Sequence, residues 1–365
     1  MKYENDKRVV LTLDAGGTNF VYSAIQGYES ITEQIRYPAE PDDLDKCLAN
    51  IVHGFEELEK QIDQEPVAIS FAFPGPADYR TGIIGDLNNL PAFRGGIALG
   101  PYLEKKFDLP VYINNDGNLY AYGEALVGFL PYINNKLKEA KSPKQYRNLV
   151  GFTLGTGFGA GIVHNGELVI GDNSNAGEVW ILPDILDPSR NVEESVSIRA
   201  VQREFGKLAY IDEAPSPREI YEIAKGEREG DQEDARNAFE LLGEALGEVA
   251  TTVATLFDGI IVIGGGVAGA SDLILPAVLE VMNDHYSGEG SVLPRLVTVN
   301  YNLEDTKQMD EFLAGKSKMI EIPGYKDKIK YDPEKRIGVG VSKIGTSKAI
   351  SAGAYAFALN ELDKR

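Results

Sequence analysis

Three short segments of the sequence place glycines where a chain can bind phosphate. They are Asp14–Asn19 (DAGGTN), Gly155–Gly161 (GTGFGAG) and Gly264–Gly269 (GGGVAG). Each follows an apolar, strand-like run, so its glycines either turn the chain sharply or let a ligand approach the backbone. Backbone N–H groups presented at such a turn suit the phosphates of a nucleotide. An ordinary hairpin also explains the first segment, because glycine accepts positive φ and Asp bonds to nearby backbone N–H groups.

The third segment also fits a different cofactor. Gly264, Gly266 and Gly269 stand between a strand and a helix with the spacing of the dinucleotide-binding fingerprint. That fingerprint usually opens a unit whose second strand ends in an acidic residue, whereas the next strand here ends in Asn302. It also leaves the first two glycine turns unexplained. A nicotinamide-linked oxidoreductase therefore stays as an alternative, and a Walker A motif is absent from the sequence.

Asp116 is the candidate general base. It comes directly after the strand-like segment 110–114, and open α/β sheets bind ligands at the carboxyl ends of their strands. A carboxylate there can accept the proton of a hydroxyl group. Asp is equally suited to cap the helix predicted to follow at 119–129, so the residue has a purely structural alternative.

Length and composition limit the fold and the partners. The 365 residues are 43% hydrophobic, enough for a sizeable core in two domains or lobes. The net charge of −20 argues against nonspecific binding to nucleic acid or to an anionic membrane. The single cysteine, Cys47, excludes an internal disulfide and a cysteine-rich zinc site, and fits a cytoplasmic protein. We expect neither a membrane span nor a signal peptide, because no apolar run is long enough.

The elements that would position these residues follow an α/β pattern, with strands alternating with amphipathic helices. Apolar stripes predict a helix within 43–63 and a long helix within 234–257. Cys47 and His53 on the first helix have no partner at ligand spacing, so we expect structural or solvent-facing roles for both. The order strand, glycine turn, strand occurs twice, which predicts two lobes of similar design that face each other.

The ordered set of motifs resembles the ROK family (repressor, open reading frame, kinase) of sugar kinases, within the superfamily of actin, Hsp70 and hexokinase. Asp14–Thr18 resembles the family's first phosphate motif, Gly155–Gly161 its second, and Ile263–Val267 its adenosine motif. Asn115–Asn118 resembles the catalytic segment and Ala176–Glu178 the sugar-binding Ala-Gly-Glu. The similarity runs from about Val9 to Ala356, interrupted by polar segments.

The resemblance implies a two-lobed, actin-like ATPase (ribonuclease H-like) α/β fold with a central cleft. The small lobe would comprise residues 1–118 and the C-terminal helix 348–365. The large lobe would comprise 119–347, and its charged segments 130–148 and 303–336 would be a surface excursion and an insertion or long loop.

The resemblance also implies the activity: ATP-dependent phosphorylation of a hexose or N-acetylhexosamine, with Asp116 as general base. Asp14 would hold Mg²⁺ through water. Backbone groups would bind the phosphates at Gly16, Gly17 and Thr18, and from the other lobe at Gly155, Thr156 and Gly157. The adenosine would lie against Gly264, Gly265 and Gly266. The sugar would be bound by Gly75, Asn89, Asn115, Asp116, Glu178 and Glu193, with Glu194 as a rival to Glu193.

The sequence departs from the family after Glu178. Most members have a His three residues later and then a cysteine cluster that binds structural zinc, whereas this chain has Ile181 and no cysteine there. We therefore expect no zinc. An apolar cluster would fix Glu178 from behind instead, formed by Trp180, Ile181, Leu182, Ile185 and Leu186.

Two points about partners complete the expectations. A regulatory, non-catalytic member of the same family is the alternative to a kinase, but such repressors carry a helix-turn-helix where this sequence has only eight residues ahead of the first strand. The expected partners are the sugar and ATP, without nucleic acid or membrane, and a homodimer is plausible by resemblance.

Overall fold

The chain forms two compact units. The computed structural model describes residues 2–15, 19–87, 90–288 and 291–365. Unit 1 comprises Met1–Gly128, Glu167–Gly177 and Ile344–Arg365. Unit 2 comprises Phe129–Gly166 and Glu178–Lys343.

Unit 1 is a mixed sheet with helices packed on it. The strands of this sheet are β1 Val9–Ala15, β2 Asn19–Gln26, β3 Glu29–Ser30, β4 Ile35–Pro38, β5 Pro66–Ala72 and β8 Val111–Asn114. The short strands β6 Ala77–Asp78 and β7 Ile83–Ile84 pair with each other, and β11 Glu167–Leu168 also lies within the residues of unit 1 but outside this sheet. Its helices are α1 Leu44–Glu59, α2 Leu99–Phe107, α3 Asp116–Leu126 and α10 Thr346–Asp363.

The sheet of unit 1 has the order β3-β2-β1-β5-β8, and β4 also pairs with β2. β2 runs antiparallel to β1, whereas β5 and β8 run parallel to it. The apolar face predicted for α1 packs on this sheet, with Ile51, Phe55 and Leu58 fully buried. Cys47 is buried on the same helix and His53 is exposed, as expected. The parallel strands bring the carboxyl ends of β1, β5 and β8 to one edge.

Helix α10 returns to unit 1 and packs tightly against α3. A Cβ atom at Gly123 would overlap the backbone carbonyl of Ala349, and one at Gly353 would overlap that of Leu119. The two backbones approach each other so closely that only glycine fits at these two positions. This packing holds α3 in unit 1, whereas the lobe boundary predicted from the sequence lies near Asn118, within that helix.

Unit 2 contains the longer helices. Its strands are β9 Leu149–Leu154, β10 Phe158–His164, β12 Ile260–Gly264, β13 His285–Gly288, β14 Ser291–Pro294, β15 Val299–Asn302, β16 Lys318–Glu321, β17 Lys328–Tyr331 and β18 Arg336–Val341. Its helices are α4 Phe129–Glu139, α5 Ile198–Leu208, α6 Pro217–Ala224, α7 Gln232–Phe257, α8 Ser271–Asn283 and α9 Thr306–Ala314.

The sheet of unit 2 repeats the plan of unit 1. Its strands have the order β10-β9-β12-β18-β15, with β10 antiparallel to β9 and with β12 and β18 parallel to it. Both units have an antiparallel pair of strands, β1–β2 in unit 1 and β9–β10 in unit 2, and the first strand of each pair has a parallel neighbour on its other side. The sequence repeat of strand, glycine turn and strand therefore corresponds to two sheets of one design.

Helices α7 and α8 pack along each other in unit 2. The stripe predicted for α7 is buried at Phe239, Leu242 and Leu246 and at the following apolar positions up to Val253. Among the described residues, Gly266–Asn283 is long and apolar enough to cross a membrane by length and composition, which the sequence analysis did not expect. Half of that segment is buried, as in the core helix of a globular unit.

The two polar segments contain regular structure. The segment expected to be a surface excursion contains the helix α4, which begins at Phe129. One face of this helix is apolar and buried, with Phe129, Leu130, Ile133 and Leu137. The segment 303–336 holds α9 and the hairpin β16–β17, so its interpretation as a long loop is wrong. The apolar side chains of that hairpin remain exposed, which explains why the segment lacks a periodic apolar pattern.

Candidate functional site

Unit 1 brings two carboxylates to the carboxyl edge of its sheet. Asp14 near the end of β1 is in register with Ala72 on β5, and Ala72 is in register with Asn114 on β8. Neighbouring strands lie about 4.8 Å apart, so Asp14 and Asn114 are separated by about 10 Å. Asp116 follows Asn114 by two residues and begins α3. The structure therefore places Asp14 and Asp116 at the same edge.

Asn115, and not Asp116, is the N-cap of α3. The Oδ1 atom of Asn115 accepts a hydrogen bond of 2.6 Å from the backbone N–H of Asn118. Asp116 is the first helical residue, and its Oδ1 accepts from the backbone N–H of Gly117 at 2.9 Å. The structural alternative for Asp116, that it caps the helix, is wrong. Its carboxylate is held at the helix N-terminus, where partial positive charge favours an anion.

The surroundings of the two carboxylates raise their pKa values. Asp116 has an exposed surface, but the protein packed around its carboxylate reduces the hydration of the charge and so raises its pKa. The hydrogen bond from the Gly117 N–H acts in the opposite direction and lowers that pKa. Withdrawal from water also raises the pKa of Asp14, and the charge of Asp116 raises it further. The two carboxylates thus repel each other, which a cation bound nearby would relieve.

Other residues predicted for this edge are only partly described. Gly75 follows β5 in the loop after Ala72, on the same edge as Asp14 and Asp116. Gly16, Gly17, Thr18 and Asn89 lie outside the described residues.

In unit 2, the second glycine turn joins β9 to β10. The N–H of Gly155 donates to the carbonyl of Gly157 at 3.0 Å, and the carbonyl of Gly155 accepts from the N–H of Ile198 at 2.9 Å. Thr156 lies between them, and its carbonyl accepts from Nη1 of Arg199 at 3.1 Å. The N–H groups of Thr156 and Gly157 have no acceptor among the described residues, so they are open to a ligand.

Glu193 supports this turn. Its Oε2 accepts a hydrogen bond from the backbone N–H of Phe158 at 2.9 Å, and its Oε1 lies 3.3 Å from Nη2 of Arg199. Glu194 contacts Arg199 and Arg203 at 3.5 Å. Within the described part of the chain, Glu193 bonds to the β9–β10 hairpin and Glu194 does not. Sequence reasoning missed Arg199, since no pattern links it to a turn more than forty positions earlier in the chain.

The third glycine turn lies beside the second. Gly264 ends β12 in register with Thr153 of β9. Gly265 has a φ of 90°, and a Cβ atom there would overlap the backbone of Leu154. Gly266–Ala270 then forms a short 3-10 helix before α8 begins at Ser271. In dinucleotide-binding folds the α-helix opens at the glycine fingerprint itself, so this geometry disfavours the oxidoreductase alternative.

Glu178 lies at the start of a loop that is held by hydrogen bonds. Its carboxylate accepts from the indole N–H of Trp180. The apolar cluster expected behind it is wrong, because Ile181, Ile185 and Leu186 are 63%, 54% and 45% exposed. Nothing apolar covers these side chains within their own loop, so they gain little from burial.

Asp184 fixes the loop instead. It is only 1% exposed, and its carboxylate accepts from the hydroxyl of Ser195 and, at 3.0 Å, from the N–H of Leu186. The N–H of Val192 also donates to the carbonyl of Leu182 at 2.8 Å. These bonds tie the loop after Glu178 to the segment that carries Glu193. Among the described residues, no group of three or more His, Cys, Asp and Glu side chains is arranged to hold a metal ion.

The site can be compared with proteins of known structure. The glucokinase of Parabacteroides distasonis is 54% identical over 99% of both chains, with a TM-score of 0.91. The ROK family glucokinase of Streptomyces griseus, solved in complex with glucose and AMPPNP, is 17% identical, with a TM-score of 0.59 over 95% of this chain and 98% of that one, and shares the fold.

Sequence relatives and the family model agree with this similarity. The N-acetyl-D-glucosamine kinase of Vibrio cholerae is 32% identical over 168 residues, which are 46% of this chain and about half (50%) of the relative's length. The model of the ROK family matches residues 10–302. The chain therefore has the actin-like ATPase fold and belongs to the ROK family.

Proposed function

We propose that this protein is an ATP-dependent sugar kinase that phosphorylates a hydroxyl group of a hexose or an N-acetylhexosamine. The observation that carries the proposal is the pair of carboxylates, Asp14 and Asp116, on one edge of the unit 1 sheet. The Asp116 carboxylate can accept a proton, and the Asp14 carboxylate can attract a hard cation. The high similarity to a glucokinase over nearly the whole chain supports the same activity.

In this mechanism Asp116 is the general base. The sugar hydroxyl gives its proton to the Asp116 carboxylate as its oxygen attacks the γ-phosphorus. The bond between that phosphorus and the bridging oxygen breaks, and its electron pair leaves with ADP. The hydrogen bond from Gly117 fixes one carboxylate oxygen of Asp116, so the other is available to the hydroxyl.

The phosphates of ATP would be held by backbone N–H groups of two glycine turns. The open N–H groups of Thr156 and Gly157 support this role for the second turn, and Gly155 shapes it. We assign the same role to Gly16, Gly17 and Thr18, and the adenosine to Gly264, Gly265 and Gly266.

Asp14 would hold Mg²⁺ through water. Carboxylate oxygens are the ligands that this hard cation prefers, and the mutual repulsion of Asp14 and Asp116 fits a cation at this edge. When bound, Mg²⁺ supplies neutralisation of the phosphate charge.

The sugar would be bound by Asn115, Glu178, Glu193, Gly75 and Asn89, together with Asp116. Glu193 would then serve both the sugar and the phosphate turn, since its carboxylate already bonds to Phe158. We further propose a cytoplasmic location. A homodimer stays a prediction, which light scattering during gel filtration tests.

The test is a panel of hexoses and N-acetylhexosamines incubated with the protein, ATP and Mg²⁺, with ADP release and the phosphorylated sugar both measured. We expect turnover of at least one sugar, with one ADP for each sugar phosphate. Sugar binding without turnover would identify a regulatory member of the family, and binding of NAD in place of ATP would identify an oxidoreductase.

A further inference from the structure

A cavity of about 350 Å³ lies at the amino ends of the unit 2 strands. Its lining comes from the segment before β9, the residue after β10, the second residue before β12, and the first residue of β18 with the residue that precedes it: Lys144, Gln145, Tyr146, Arg147, Asn148, Asn165, Asp258, Lys335 and Arg336. The glycine turns at Gly155 and Gly264 lie at the opposite, carboxyl ends of the same strands. The cavity is therefore separate from the proposed ATP site.

The lining is cationic in a chain whose net charge is −20. Lys144, Arg147 and Lys335 form no ion pair among the described residues, and Asp258 is the one carboxylate in the lining. Unpaired cations gathered around one cavity repel each other, so the arrangement costs free energy unless an anion enters. In a chain with more carboxylates than cationic side chains, a group of lysines and arginines is expected to have carboxylate partners.

The nearby carboxylates Asp332 and Glu334 are engaged with Arg336, a residue of the cavity lining. Nη1 of the fully buried Arg336 lies 2.5 Å from Asp332 and 3.6 Å from Glu334. Glu334 also pairs with Lys316 at 2.9 Å. The Nε and Nη2 atoms of Arg336 have no hydrogen-bond partner in the described part of the chain. Asp332 and Glu334 balance the charge of this buried guanidinium, which still keeps two donor atoms without an acceptor.

Lys144 responds to this charge. Removal from water lowers the pKa of its ammonium group and the Arg336 charge lowers it further, whereas the charges of Asp332, Glu334 and Asp258 raise it. An anion in the cavity would offset both effects. The phenol of Tyr146, which donates to the carbonyl of Arg336 at 2.8 Å, holds the segment before β9 against β18 and so fixes the spacing of the cations.

We propose that this cavity is a binding site for a small anion that carries a phosphate group. Its volume suits a ligand of the size of a phosphate monoester. Lys144, Arg147 and Lys335 supply charge-assisted donors. The site does not depend on the kinase proposal, because none of its residues belongs to the proposed catalytic machinery.

The test is calorimetric titration of the full chain with inorganic phosphate, and separately with a hexose phosphate, in a buffer without other multivalent anions. The variant is Arg147→Gln with Lys335→Gln, two exposed side chains of the lining. The matched control is Lys60→Gln with Lys105→Gln, two exposed cations of unit 1 that change the net charge equally. Melting temperatures confirm that both variants fold.

We expect the wild type and the control to bind one phosphate group in the millimolar range or more tightly, and the variant to bind it at least tenfold more weakly. Tighter binding of the hexose phosphate would identify a sugar phosphate as the ligand, and equal binding would identify the phosphate group alone. Equal affinity of all three proteins, or no binding to the wild type, would overturn the proposal.

Discussion

The carboxylate of Glu193 accepts a hydrogen bond of 2.9 Å from the backbone N–H of Phe158, the first residue after the second glycine turn. A residue expected to bind the sugar is thereby connected to the turn expected to bind the phosphates. Arg199 extends the connection, because it contacts both Glu193 and the carbonyl of Thr156. The sugar and ATP would therefore both contact one hydrogen-bonded network within unit 2, formed by Glu193, Arg199 and the second glycine turn.

Replacement of Glu193 tests this network. In Glu193→Ala the Phe158 N–H loses its acceptor and Arg199 loses one of its two carboxylates, so we expect the KM for ATP to rise about tenfold, together with the KM for sugar. Glu194→Ala is the matched control, because Glu194 contacts Arg199 but no atom of the turn. Steady-state kinetics with both substrates varied gives the comparison. Equal effects of the two substitutions would show that Glu193 has no special connection to the turn.

The loop after Glu178 offers a second test. Ser195→Ala removes a hydroxyl donor from the buried Asp184 carboxylate, which costs about 1–3 kcal/mol of unfolding free energy and raises the KM for sugar. Ser189→Ala is the control, since its hydroxyl bonds to exposed Asp187 in the same loop. Urea denaturation measures the unfolding free energy of both variants, and steady-state kinetics measures their KM for sugar. A loss of stability confined to the Ser189 variant would contradict the role assigned to Asp184.

The fold follows from the sequence where the signal is local. Amphipathic stripes predict α1 and α7, and the glycine segments predict the turns after β9 and β12, because side-chain periodicity and glycine placement are properties of neighbouring residues. The polar composition of segment 130–148 hides the helix α4, although Leu130, Ile133 and Leu137 recur at helical spacing.

Tertiary contacts explain the remaining differences. Ile181, Ile185 and Leu186 are apolar, but no neighbouring element covers them, and sequence alone does not show which apolar residues are buried. The bonds from Glu193 to Phe158 and from Arg199 to Thr156 join residues far apart in the chain, without a repeating pattern. Asn115 takes the cap position expected for Asp116 because both residue types suit it and only the backbone geometry decides.

Chelation tests the expectation that the chain contains no zinc. The loop after Glu178 is tied by Asp184 and by backbone hydrogen bonds, so we expect treatment with EDTA followed by restored Mg²⁺ to leave activity and melting temperature unchanged. Stoichiometric zinc in active protein, lost on chelation together with activity, would contradict this.

The raised pKa of Asp14 predicts how stability depends on pH. The pKa of Asp14 is higher in the folded chain than in the unfolded chain. Protonated Asp14 therefore contributes stability at pH values below the pKa of the unfolded chain, and this contribution is lost as the pH rises through the pKa of the folded chain. Asp14→Asn removes the charge, so we expect it to raise the melting temperature at pH 7 and to have little effect near pH 3. Asp63→Asn, at an exposed site of unit 1, is the control. A melting temperature lowered by Asp14→Asn at pH 7 would contradict the repulsion between Asp14 and Asp116.

Asp116→Asn tests the proposed reaction most directly. The amide oxygen can still accept from the Gly117 N–H, so helix α3 keeps its first turn, but the side chain can no longer take a proton. The measurement is kcat with saturating sugar, ATP and Mg²⁺, alongside the affinity for an ATP analogue by calorimetry. We predict that kcat falls by roughly 10²-fold or more while the analogue binds as tightly as to the wild type. A kcat within a few-fold of the wild type would show that Asp116 is not the general base.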